Sequence, residues 1–219
     1  MYQIILLSGS VINFPLYLVD DTFGHIGLLV NHVLSDEMIS RLEYFATFLG
    51  NNLTGSKKKH RAPGSHYFGF WRKYSTTIYQ TKTSKEYISK QFISQIQDIW
   101  KLVSQVIFHY YPDIWSRYHY NRNQLCLPYT FGIWTCLGFN YLVQSPRHKD
   151  FADASKGLCV IIPVGNYTGG NLLLPEYNVS VEITRKSIFC MDSCNVTHEN
   201  KNFVGNRSSF ALFSPQNMM

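Results

Sequence analysis

Apolar residues recur along this chain with two different periods, and the change between them divides the sequence. Met38, Leu42, Phe45 and Leu49 return at the three-to-four spacing of a helix with one buried side. Ser35 or Asp36 is placed to cap that helix and Gly50 to stop it. A second and longer stripe runs through Ile88, Phe92, Ile96, Ile99, Val103, Val106 and Tyr110. Thr83 and Glu86 stand before it at capping-box spacing, and Pro112 ends it. Such a stripe is read as a core-facing seam. Between the two helices, from Asn51 to Lys82, the periodicity disappears, which predicts a long loop or a loose hairpin.

After Leu125 the pattern changes to short β-prone runs separated by Gly, Pro, Asn and Ser. The runs are 133–143, 157–164, 171–174, 179–183, 187–191 and 208–213. Their spacing predicts a small antiparallel barrel or sandwich. The first twenty residues are apolar, but Gly9, Ser10, Asn13 and Pro15 interrupt them and no basic stretch precedes them. A buried strand or two (4–7, 15–19) is therefore expected rather than a spanning helix or a signal segment. The organisation expected is a helical and loop support region, 1–124, before a strand-built core, 125–219, in one compact unit.

Composition narrows the class. Charged residues and aromatics each make up 16%, a balance that excludes a disordered chain. A net charge of +6 suits a polyanionic partner. Five cysteines form no Cys-x-x-Cys pair, so reduced thiols inside a cell are expected. The five Asn-x-Ser/Thr triplets are then coincidences of an Asn- and Ser-rich chain. Nothing in the pattern calls for an oligomer or a membrane.

The chemistry sits in the last third of the chain. Asp150 follows His148 by two residues, and alternate residues at a strand end point the same way, so the pair can grip one ion. His198 supplies a second imidazole fifty residues on. Two imidazoles and a carboxylate can occupy one face of an octahedral Fe(II), leaving positions for a co-substrate and O2. Arg207, nine residues beyond His198, can hold a carboxylate in bidentate fashion. A lone His or a strand-start Arg carries little weight. The four together point to an Fe(II)/2-oxoglutarate dioxygenase.

The segment Phe139–Phe213 resembles the core of the Fe(II)/2-oxoglutarate dioxygenases, and among them the TET/J-binding-protein branch. The resemblance is carried by Asn140-Tyr141, the run from His148 to Asp153, Gly169-Gly170-Asn171-Leu172, Leu174-Pro175, His198 and Arg207-Ser208-Ser209. It implies an α+β chain with a double-stranded β-helix (jelly-roll) core and N-terminal supporting helices. It also implies iron held by His148, Asp150 and His198, and 2-oxoglutarate whose distal carboxylate meets Arg207 with Ser209 beside it. In nucleic-acid oxidases of this kind, a polar residue five after the first iron His faces the flipped base. That position is Asp153, whose carboxylate can accept a bond from an exocyclic amine; its plainer reading is a solvated turn residue. The chain departs from some relatives near Val143, where a basic residue assists the co-substrate, and Arg147 is a poor stand-in because it would face differently.

Lys57, Lys58, Lys59, His60 and Arg61, followed by aromatics and cations from His66 to Lys73, suit a nucleic-acid backbone. The Lys run also passes as a nuclear-import signal, while the aromatics read equally as strand core. The expected activity is oxidation of a nucleic-acid base, the methyl of 5-methylcytosine in DNA before RNA, in a nuclear monomer. A prolyl-type protein hydroxylase shares the iron set. A non-catalytic nucleic-acid-binding barrel is the alternative of a different class.

Overall fold

The structure, a computed structural model, describes residues 15–20, 24–53, 64–72 and 76–219. Two layers of strands enclose one core, and helices cover the outside of the larger layer. The larger sheet takes β1 (Leu16–Asp20), β2 (Gly24–Val30), β3 (Ser65–Arg72), β4 (Ile78–Gln80), β5 (Cys136–Tyr141), β6 (Cys159–Val164), β10 (Ile188–Met191) and β13 (Ser208–Phe213). Their order across the sheet is β1-β2-β10-β6-β13-β5-β3-β4, with antiparallel neighbours throughout. The opposing layer holds β11 (Glu199–Asn200), β8 (Leu172–Leu174) and β9 (Val179–Val181) in that order, with β12 (Phe203–Gly205) paired to β7 (Tyr167–Gly169). This is an α+β chain with a double-stranded β-helix core.

Side-chain alternation gives each face of the large sheet its own job. Leu28, Leu137, Phe139, Ile162, Phe210 and Leu212 turn outward, into one cluster with helices α1 (Asp36–Asn52), α2 (Tyr87–Gln95) and α3 (Gln97–Tyr110). Phe210 stacks on Phe139 at 5.2 Å and meets Phe92 at 5.9 Å and Trp100 at 6.1 Å. Leu18, Leu29, Phe189 and Met191 turn inward and pack with Leu172, Leu174 and Val181 of the opposing layer. Strands buried on both sides lose the apolar–polar alternation, which is why β5, β6 and β10 read as near-continuous apolar runs.

The strand runs expected after residue 125 all appear, with β13 matching its run from end to end. Three local expectations change. Gly50 does not stop α1, which continues to Asn52; a Cβ at Gly50 would lie 2.5 Å from the ring of Tyr141, so the glycine serves close packing. The long second helix breaks at Ile96, whose φ of −120° divides it into α2 and α3. Thr83 does not cap it but opens a 3-10 turn over Thr83–Lys85. The stripe does end before Pro112, α3 closing at Tyr110, and Pro112 then opens α4 (Pro112–Gln124), a mostly polar helix with little apolar periodicity to announce it.

In its described part the stretch 51–82 is a hairpin, β3 against β4, and Phe68 and Phe70 are buried in it. Those two aromatics are core. Lys57, Lys58, Lys59, His60, Arg61 and Lys73 lie outside the described residues, as does the strand expected over 4–7. All five cysteines are free thiols. Among the described residues no helix is long and apolar enough to cross a membrane.

Candidate metal centre

His148 and His198 meet through their backbones. The His148 N–H donates to the His198 carbonyl at 3.0 Å, and the His198 N–H returns the bond at 2.9 Å. Two residues that exchange both bonds stand directly opposite each other in an antiparallel pair and send their side chains to the same side. The imidazole centroids are accordingly 4.2 Å apart. Asp150, two residues beyond His148, is fixed by its N–H to the Ser193 carbonyl at 2.9 Å. Its two oxygens lie 3.8 Å from His148 Nε2 and 3.6 Å from His198 Nε2. Among the described residues this is the group of His, Cys, Asp and Glu side chains that can share one ion.

The donor set fits a small divalent metal. Nδ1 of His148 faces the Pro146 carbonyl at 2.6 Å, and Nδ1 of His198 faces the Val196 carbonyl at 2.9 Å. A carbonyl only accepts, so each Nδ1 carries the proton and each Nε2 presents a lone pair toward Asp150. Burial holds the His198 imidazole below its ordinary pKa; the Val196 bond and Asp150 oppose that and His148 reinforces it. The neutral form is the one that ligates. Ligands at about 2.1 Å in adjacent octahedral positions sit about 3 Å apart, so closing this group on an ion takes only small rotations.

Arg207 immediately precedes β13 and, with Ser209, turns to the side opposite Phe210, into the space between the two layers. Both are buried. The guanidinium lies over the rings of Tyr167 at 5.5 Å and Phe203 at 5.9 Å, and its Nε has no hydrogen-bond partner. Among the described residues no carboxylate pairs with it. Burial lowers its pKa, and Tyr167 partly offsets this. A buried cation without an anion is costly, and a carboxylate brought in from outside relieves the cost. Gly170, expected to serve a turn, has φ +72° and a further duty: a Cβ there would lie 2.9 Å from Cδ and Nε of Arg207.

Along β13 and its neighbours the inner face is small and polar near Arg207 and turns aromatic at Tyr67 and Phe213. Ser209 stands opposite Asn140, which stands opposite Ser65 and accepts its hydroxyl at 2.7 Å; Ala211 stands opposite Gly138. A Cβ on Gly138 would make ordinary contacts with Ala211 at 3.7 Å and Phe213 at 3.8 Å. Away from this face, a half-open cleft of about 490 Å³ lies on the helix side, between α1 and the β6–β7 turn, lined by Tyr141 and Ser208 but by none of His148, Asp150, His198, Arg207 and Ser209.

Asp153 is not a solvated turn residue. It is buried, its N–H donates to the Asp150 carbonyl at 2.8 Å, and its Oδ2 accepts the Ser193 hydroxyl at 2.7 Å. Burial, aided by the charge of Asp150, pushes its pKa up to about 7 against the Ser193 bond. Arg147 points to Glu199 at 3.0 Å and is spent there. The strand β13 runs between β5 and β6, and the His148 segment pairs with the His198 segment. Tyr167, Phe203 and Ser193 went unread, because each contributes through a partner that only the fold brings near.

No family model and no curated protein sequence matches the chain. Solved structures do. One is NgTET1 in complex with 5mC DNA, at 16% identity and a TM-score of 0.71, covering 92% of this chain and 76% of that one. Another is an oxidoreductase of the 2OG-Fe(II) oxygenase family from Burkholderia pseudomallei, at 11% identity and a TM-score of 0.50, covering 85% and 82%. The fold of this chain is that of the Fe(II)/2-oxoglutarate oxygenases.

Proposed function

We propose that this chain is an Fe(II)/2-oxoglutarate-dependent dioxygenase that oxidises a nucleic-acid base, the methyl group of 5-methylcytosine in DNA. The observation that carries the reading is a pairing: a His-Asp-His group with its lone pairs converged, and a buried Arg207 with no anion of its own. One without the other would suit many proteins. His148, Asp150 and His198 would hold the iron, and Arg207 with Ser209 the distal carboxylate of 2-oxoglutarate. When bound, iron and 2-oxoglutarate together activate O2, one oxygen atom going to succinate as CO2 leaves and the other into a substrate C–H bond.

The chain's own residues do the rest. Tyr167 and Phe203 flank the guanidinium and keep water from it, which strengthens its hold on a carboxylate. Ser193 fixes Asp153 one turn from Asp150, and we assign Asp153 to the exocyclic amine of the base. The likeness in fold to a structure holding 5mC DNA supports this substrate over a peptide, as does the net charge of +6.

The test is mass spectrometry of nucleosides and acids after incubating methylated DNA with protein, Fe(II), 2-oxoglutarate, O2 and ascorbate. 5-Hydroxymethylcytosine should appear in step with succinate, and His198→Ala should yield neither. Succinate formed only with a proline-containing peptide would move the assignment to a protein hydroxylase. No succinate under any condition would leave a non-catalytic barrel.

A further inference from the structure

Phe151 stands between two carboxylates and faces the other way. Asp153 is 8% exposed, whereas Phe151 is 79% exposed, although it is the immediate neighbour of Asp150. The loop that carries it is well fixed. Asp150 is tied to Ser193, Ala154 donates to the Ser214 carbonyl at 2.9 Å, and Lys149 pairs with Glu176 at 2.9 Å. The Cys194 thiol approaches the Phe151 carbonyl itself at 3.9 Å. The turn beneath is closed by Asn195 and Val196, both donating to the Asp192 carbonyl. An aromatic ring is thus held in water by a braced backbone, one residue from the candidate metal. Lys156, farther along the same loop, is also exposed.

Resting on the base-oxidation reading above, we propose that Phe151 is a wedge that enters the duplex beside the target base and fills the gap the base leaves. A base can reach an interior metal only by leaving the stack, which costs unstacking and unpairing. An apolar ring inserted at the vacated step recovers part of that cost by stacking on the orphaned neighbours. The wedge must sit at the mouth of the site, since the extruded base and the gap it leaves are adjacent. It must also be held in advance, because a floppy ring would lose on insertion what stacking returns. Phe151 meets the second condition through its braced backbone; it directly follows the candidate ligand Asp150 with its ring exposed, and the proposal places that ring at the mouth. Lys156, exposed five residues farther on, offers a cation for the phosphate backbone.

A wedge matters for paired DNA and little for a strand with no stack to open, so the test compares the two. Wild type, Phe151→Ala and Phe151→Trp are each loaded with iron and 2-oxoglutarate. They act on one oligonucleotide carrying a single 5-methylcytosine, either annealed or alone. Phe151→Ala should lower the duplex-to-single-strand ratio of kcat/KM about tenfold, the effect expected for losing one aromatic stack. Phe151→Trp should restore most of it. In a parallel binding experiment, 2-aminopurine at the target position of a duplex should brighten with wild type and much less with Phe151→Ala. An unchanged ratio with unchanged 2-aminopurine signal overturns the wedge and leaves base oxidation standing. A wild type that oxidises neither form and leaves 2-aminopurine dark overturns the base-oxidation reading, and the wedge with it.

Discussion

The two faces of β13 obey opposite rules. On the outer face Phe210 and Leu212 are fully buried among aromatic and aliphatic neighbours from three helices. On the inner face Arg207 and Ser209 are equally shut away from water, yet the guanidinium has an unsatisfied Nε and rings where an anion belongs. Both faces belong to one six-residue strand and the residue before it, so backbone geometry is common to them. What differs is what the side chains face. The outer face makes the sheet stable; the inner one spends some of that stability on a site that is complete only with its ligand.

Replacing Phe210 by Ala attacks the outer face alone. It removes a ring packed on Phe139, Phe92 and Trp100, and should destabilise the protein by about 3–5 kcal/mol in a urea titration. Co-substrate affinity of the molecules that remain folded should stay close to wild type. A large loss of affinity would mean that the faces are not independent.

Arg207→Met addresses the inner face and should change two quantities in opposite directions. Calorimetric titration should show 2-oxoglutarate weakened by about 2–5 kcal/mol, the scale for truncating one partner of a buried charge pair. The cofactor-free protein should gain about 1 kcal/mol or more, because an unpaired buried charge has been replaced by apolar atoms. A variant less stable than wild type would break the comparison. Gly170→Ala is the gentlest probe. A left-handed φ of +72° should cost it about 1–2 kcal/mol of stability. The new methyl would press on Cδ and Nε of Arg207 and weaken 2-oxoglutarate several-fold with the guanidinium still present.

Those contrasts also mark where sequence reading works. The β-prone runs were visible because turn residues bracket them, and the His-x-Asp, His and Arg positions because few other chemistries need that set in that order. The α1 helix was visible from its stripe, including Ser35, whose side chain accepts the Met38 N–H at 3.2 Å. What escaped depends on partners far away in the chain. Gly50 resembles a helix stop until Tyr141 is seen against it, and Gly170 a turn residue until Arg207 is. The helix α4 carries too few apolar positions to show a face, with Tyr118 its single buried residue. Asp153 reads equally as a pocket residue or a solvated turn, because nothing local foretells that Ser193 will cover it.

The reciprocal pair of hydrogen bonds between His148 and His198 has a kinetic consequence. The loop it closes contains β6 to β10, which contribute to both sheets, so most of the barrel must be in place before the two strands can meet. Closing so long a loop carries a large entropy cost, and two backbone bonds return little of it. An ion held by His148, Asp150 and His198 in the proposed holoenzyme would therefore act as a staple across that loop. Its removal by a chelator should loosen the pairing of the His148 and His198 segments while the large sheet stays paired.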